Sequence, residues 1–232
     1  MTIIVLGGAG FSSSLFIYIK LNERRISVTK KKEYIKDNYN DYIIGIDISL
    51  NDSGVAVYSL SEQRIVHYDH INVQHIRNLK KYRGLNINAI KVSLQREFFE
   101  DIKRKFPPKI VVIESGFAKF RKEVASLNQI NGVVYSVFWN YSQVMYKPTA
   151  VKAEIVHGSA DKEVVKDVLV RNIPEIAGDK LVDENDNVSD AIAVLYTYLL
   201  KNKIRPKSTW DKGEYPKSVS KKKKIVKRKQ LY

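Results

Sequence analysis

The segment Lys109-Ile-Val-Val-Ile-Glu114 constrains the fold more than any other part of the chain. Neighbouring side chains on a strand point to opposite faces, so a strand apolar at four successive positions must be covered on both. Leu85 to Phe106, just before it, carries apolar residues at helical spacing and is stopped by Pro107-Pro108. A helix leading into a doubly covered strand points to a layered α/β domain.

The rest of the pattern agrees. Tyr42 to Asp47, Gly54 to Ser59 and Arg64 to Val73 read as successive strands, with turns at Asn51-Asp52-Ser53-Gly54 and Ser61-Glu62. Ser126 to Trp139 reads as a helix, Ser142 to Tyr146 as a strand, Asp161 to Asn172 as a helix ending before Pro174, and Ser189 to Asn202 as a last helix. Three strands followed by alternating helix and strand predict a mixed sheet flanked by helices, over residues 42–202.

The flanks differ in composition. Residues 2–19 contain no charged side chain and are followed by Lys20, Arg24 and Arg25. That is near the lower length of a membrane span, so an N-terminal anchor with the rest of the chain on the cytoplasmic side is an expectation for 2–19, with a charged linker to residue 41. Gly7-Gly8-Ala9-Gly10 resembles a dinucleotide-binding turn, but a Lys-rich stretch stands where its crossover helix belongs.

The formal net charge is +15. Residues 201–232 carry 13 Lys/Arg against 2 Asp/Glu, residues 1–41 carry 7 against 4, and the remaining 20 against 19 leave residues 42–200 almost neutral. The charge points to a polyanionic partner, and residues 203–232, with Lys221, Lys222, Lys223 and Lys224, read as a disordered basic tail. There is no cysteine, which excludes disulfides, a thiolate zinc site and a cysteine nucleophile. His67, His70, His75 and His157 lack zinc-motif spacing, so any metal site is expected to use oxygen donors and to hold Mg2+ or Mn2+.

Three acids stand where such donors would be useful: Asp47 and Glu114 close predicted strands, and Asp190 opens the last helix. A right-handed crossover can set the two strands side by side, and the helix can face both. Convergent carboxylates of this kind can hold two metal ions about 4 Å apart for phosphodiester hydrolysis.

The motifs around these acids resemble the RuvC family of Holliday-junction resolvases in the ribonuclease H-like superfamily. Gly45-Ile46-Asp47 with Gly54 is similar to its opening strand, and Ile113-Glu114-Ser115-Gly116-Phe117 to its Glu motif. Leu127-Asn128-Gln129-Ile130-Asn131-Gly132 resembles its Leu-x-Gln-x-x-Gly helix, and Ser189-Asp190-Ala191 its closing Asp-Ala motif. Pro148 to Lys152 and Gly158 to Lys162 resemble its basic segment. The resemblance implies Asp47, Glu114 and Asp190 as metal ligands for two ions, Lys152 and Lys162 as phosphate contacts, and Phe117 as an aromatic stacking on bases. It further implies a homodimer acting on four-way junctions in recombination and repair. Asn187 stands where the family has a second acid, so the fourth ligand is Asn187 or a neighbour, Asp186 or Asp183.

Two alternatives follow from the same residues: another ribonuclease H-like nuclease, acting on branched DNA or an RNA–DNA hybrid, or a catalytically weakened junction binder, which Asn187 would explain. The richness in Lys, Asn and Ile suits an AT-rich genome such as that of a phage or other virus.

Overall fold

The computed structural model describes residues 19–21, 24–26, 41–115 and 121–215, and of residues 19–21, 24–26, 121–124 and 126 the backbone alone. The chain divides into two units, Met1–Asn38 and Tyr39–Tyr232. In the first, β1 (Ile19–Leu21) and β2 (Arg24–Ile26) pair antiparallel, Ile19 opposite Ile26, where the last residue of the expected anchor and the start of the linker were placed. Residues 2–18 lie outside the described residues, and among the described ones no helix is long and apolar enough to cross a membrane.

The second unit is built on a five-stranded mixed sheet. Its strands are β3 (Tyr42–Asp47), β4 (Asp52–Ser59), β5 (Arg64–Asn72), β6 (Pro108–Glu114) and β7 (Ser142–Tyr146). The order across the sheet is β5-β4-β3-β6-β7; β3 pairs antiparallel with β4 and parallel with β6, and β6 parallel with β7. The helices are α1 (Ile87–Lys105), α2 (Arg121–Val137), α3 (Pro148–Ile155), α4 (Lys162–Asn172), α5 (Lys180–Glu184) and α6 (Asp186–Lys201).

Strand periodicity sorts the core into two layers. Ile44 and Ile46 of β3, Val55 and Val57 of β4, and Val111 and Ile113 of β6 pack against Phe99 and Ile102 of α1 and Ile130, Val134 and Val137 of α2. Ile43, Ala56 and Val112, in the opposite phase, pack against α6 and the helices behind it. Asp47 is in phase with Ile43 and Glu114 with Val112, so both carboxylates belong to the α6 face.

α6 is apolar nearly all round, as a core helix must be. Every residue from Val188 to Leu200 is buried except Asp190. One side of the helix lies so close to the sheet that only glycine fits beneath it: a Cβ on Gly45 would sit 2.5 Å from the Ala191 carbonyl oxygen, and one on Gly54 2.1 Å from that of Asn187. On its other side the chain folds back. Trp210 meets the Tyr196 ring at 5.3 Å and donates its indole N–H to the Ile155 carbonyl at 2.9 Å. Asp211 and Asn172 bond to each other through backbone and side chain. Structure therefore continues to Tyr215, past the compositional break at residue 203, because Trp210 covers apolar surface that basic neighbours cannot.

Other differences from the sequence expectations are local. α6 begins at Asp186, three residues before the expected start, since Asn185 caps it by accepting from the N–H groups of Asn187 and Val188. Asp190 therefore sits in the second turn and does not open the helix. α3 was not anticipated; Pro148 begins it, where the missing N–H costs nothing.

Candidate metal centre

Asp47 is the last residue of β3 and Glu114 the last of β6, and the two are direct partners in the parallel ladder. Paired positions on adjacent parallel strands project to the same side, so the two carboxyl groups stand together without any loop to place them. α6 brings the third. One carboxylate oxygen each from Asp47, Glu114 and Asp190 lie within 4.8 Å of one another, and all three residues are half-buried.

Such a cluster is uncomfortable without a cation. Burial, then the charges of Asp190 and Glu114, push Asp47 well above the usual carboxylate range. Burial, with Asp190 second, raises Glu114 to about 7, against the opposing charges of Lys162 and Lys152. Among the described residues, the one ion pair reaching the cluster comes from Lys162, whose Nζ is 2.7 Å from Asp190 Oδ2. Burial works to depress the Lys162 ammonium, but its bond to Asp190 and the charges of Asp190, Asp186 and Asp47 hold it above its ordinary value. Three hard oxygen donors in mutual repulsion fit a divalent cation of the Mg2+ or Mn2+ type.

The sequence-derived positions divide clearly. Asn187 lies in the first turn of α6, one turn before Asp190, with its backbone held by the Asn185 cap. Asp186 is exposed and within 4 Å of both Lys162 and Lys166, outside the three-carboxylate group. Asp183 is exposed too, and its carbonyl accepts from Lys166. Lys152 donates to the Ala160 carbonyl at 2.7 Å, while its charge still acts on Glu114. Phe117 and Lys221 to Lys224 lie outside the described residues.

Two supporting groups were not foreseen. Gln95, fully buried on α1, donates through Nε2 to the carbonyls of Ser49 and Leu50 at 2.7 and 2.8 Å, fixing the turn that follows Asp47. Asn185, besides capping α6, reaches the His70 ring nitrogen at 2.8 Å, which is also 2.8 Å from Asp52 Oδ1. The helix bearing Asp190 is thereby tied to β5 where Asn185 donates to that nitrogen.

Proton and cation compete for the same oxygens. Glu114 must lose its proton to bind a cation, so affinity is full well above about pH 7 and falls as pH drops through that value. For one displaced proton with that pKa, Mn2+ binding measured calorimetrically should weaken about tenfold between pH 8 and pH 6, and more as Asp47 also protonates. An affinity independent of pH over that range would place the cation elsewhere.

No family model matches the chain, and no curated protein matches it in sequence. Solved structures do resemble it. Thermus thermophilus RuvC aligns with 70% of this chain and 96% of its own, at 19% identity and a TM-score of 0.55. The same protein in complex with a Holliday junction substrate aligns with 70% and 95%, at 19% identity and 0.54. A looser likeness, TM-score 0.44 at 13% identity, extends to fowlpox virus resolvase, over 69% of this chain and 98% of that one. With its five-stranded mixed sheet, α6 against one face and α1 and α2 against the other, the domain has the ribonuclease H-like fold of RuvC.

Proposed function

We propose that this protein is a divalent-metal-dependent endodeoxyribonuclease that resolves four-way DNA junctions. The observation that carries the reading is the meeting of Asp47, Glu114 and Asp190 from β3, β6 and α6 within 4.8 Å. The likeness to RuvC, solved with a Holliday junction, supports the choice of substrate.

Asp47, Glu114 and Asp190 would hold two Mg2+ or Mn2+ ions, with Asn187 as a neutral oxygen donor in preference to Asp186, which Lys162 and Lys166 engage. Bound there, such ions lower the pKa of a water and offset charge on the phosphate. The chain's own groups do the positioning. β3 and β6 fix two carboxylates in register, and Lys162 restrains Asp190 while presenting a positive charge to a phosphate entering beside it. Lys152 adds charge on the Glu114 side, and Phe117 is assigned to stacking on exposed bases at the junction centre. A junction with two-fold symmetry suits a homodimer that places one such site on each of two strands.

The substrate is tested by comparing a synthetic four-way junction with linear duplex and an RNA–DNA hybrid of the same sequence. Preferential, paired nicking of the junction is expected; preferential hybrid cleavage would instead make this a ribonuclease H-like enzyme of other specificity.

Residues 216–232 carry eight Lys/Arg and no Asp/Glu. They are proposed to add sequence-independent affinity for DNA, while the folded domain selects shape. Deleting them should flatten the dependence of log Kd on log salt by up to about 7, at about 0.9 per phosphate contact. The position of the nick should stay the same. A salt slope that survives the deletion would remove the tail from the interface.

A further inference from the structure

We propose that the connection between β5 and α1, residues 73–86, is a preformed arm that grips the phosphate backbone of duplex DNA through Arg77, Lys80, Lys81 and Arg83. The inference rests on the reading of this protein as a DNA nuclease and assigns a second contact surface to it.

Charge is the first observation. From His70 to Arg96 the chain has six Lys/Arg and no Asp/Glu, although residues 42–200 as a whole are nearly neutral. Arg77, Lys80, Lys81 and Arg83 are all exposed. Among the described residues none of the four forms an ion pair with a carboxylate, whereas Arg104 and Lys105 at the far end of α1 both pair with Asp101. The local field is uncompensated inward as well. Lys91 is buried beside this segment with its ammonium on the Asn51 side-chain oxygen, and burial together with the Arg77 charge depresses its pKa.

Order is the second. Val73 and Ile76 are buried and pin the segment to the domain. Two short 3-10 turns, Ile76–Asn78 and Lys80–Tyr82, follow, closed by backbone bonds from Leu79 to Ile76 and from Arg83 to Lys80. Gly84, at φ +81°, makes the left-handed turn that returns the chain to α1. The four cations are thus presented on fixed backbone, which lowers the entropy lost on binding.

Location is the third. Asn72 ends β5 opposite Asp52, at the same end of the sheet where Asp47 pairs with Gly54 and Glu114. β5 is two strands from β3, about 10 Å at ordinary strand spacing. A duplex whose scissile phosphate lies at the carboxylates would run its neighbouring phosphates past this arm. Exposed Leu79 and Leu85 and the half-buried Tyr82 between the cations supply apolar surface for sugars.

The test is a matched pair of full-length variants, each losing two positive charges: Lys80→Gln/Lys81→Gln in the arm and Arg104→Gln/Lys105→Gln at the opposite end of α1. Kd for a four-way junction is measured by fluorescence anisotropy from 50 to 200 mM salt. Two lost phosphate contacts should reduce the salt slope by about 1.8, so that the wild type loses about twelvefold more affinity than the arm variant over that range. The distal pair should keep the wild-type slope. Neutralising all four arm residues should reduce the slope by about 3.6, and melting temperatures confirm that the variants are folded. Equal slopes for the arm and distal pairs would overturn the arm while leaving the nuclease reading intact. A wild type that cleaves no DNA and binds none would overturn both.

Discussion

Replacing Glu114 by Gln should make the metal-free protein more stable at pH 8. Glu114 has a folded pKa of about 7 against an ordinary value of 4.5, a rise caused first by burial and then by Asp190. A raised carboxyl pKa means that the folded state holds a proton the unfolded chain has lost. Its contribution is therefore unpenalised below the unfolded value and becomes a penalty as pH rises through about 7. Above that, the cost of ionisation in place is about 3 kcal/mol at 1.36 kcal/mol per unit, and Gln removes it without changing shape. For a domain of this size the melting temperature should rise by about 6–12 °C. At pH 5 the two proteins should differ little, and saturating Mg2+ should restore stability to the wild type but not to the variant. A variant that melts below wild type at pH 8 would identify Glu114 as a structural carboxylate that carries no electrostatic strain for a cation to relieve.

The opposite outcome is expected at Gly54. A methyl group there would meet the Asn187 carbonyl oxygen at 2.1 Å, its carbon at 2.4 Å and the Val188 nitrogen at 2.9 Å, all backbone atoms that no rotamer change can move. Relief requires α6 to lift from β4 at the turn just before Asp190. Overpacking costs about 1–3 kcal/mol in ordinary cores, and the contact here is with rigid backbone. The effect on the site should be larger, since a shift of about 1 Å in a reacting group can cost on the order of 100-fold in rate. Gly54→Ala should therefore lose both stability and Mn2+ affinity. Gly132 supplies the contrast: it lies in α2 with nothing within 4 Å of an added Cβ, so Gly132→Ala should stabilise by about 0.5–1 kcal/mol. Similar behaviour of the two substitutions would mean that α6 does not depend on close approach to the sheet.

Where the sequence was legible, the reason is physical. β3 and β7 occupy the residues expected of them because each is a short patterned run between unambiguous breakers. Asp47 and Glu114 could be recognised because a strand's final residue inherits the phase of those before it. Asp190 was found, but its helix begins earlier: the first turn, Asp186 to Ser189, is polar apart from Val188, and its cap Asn185 stands among acids that resemble a loop. α3 escaped because it is eight residues long and buries only Val151 and Ile155. Gln95, His70 and Asn185 act through contacts 18 to 115 positions away in sequence, for which a single chain offers no local signal. Trp210 was hidden by basic neighbours that dominate the composition of its segment. The choice between Asn187 and Asp186 needed the positions of Lys162 and Lys166, which only the fold provides.

We propose Asp47, Glu114 and Asp190 as a metal site that cuts DNA junctions. That assignment is tested most directly by incubating a labelled four-way junction with the full-length protein in Mg2+, beside Asp47→Asn and an EDTA control. Paired nicks in strands of like polarity are expected for the wild type. None is expected with EDTA, and the variant should be slower by about 100- to 1,000-fold while its junction affinity persists. Tight binding by the wild type without cleavage, or cleavage that survives Asp47→Asn, would contradict the assignment.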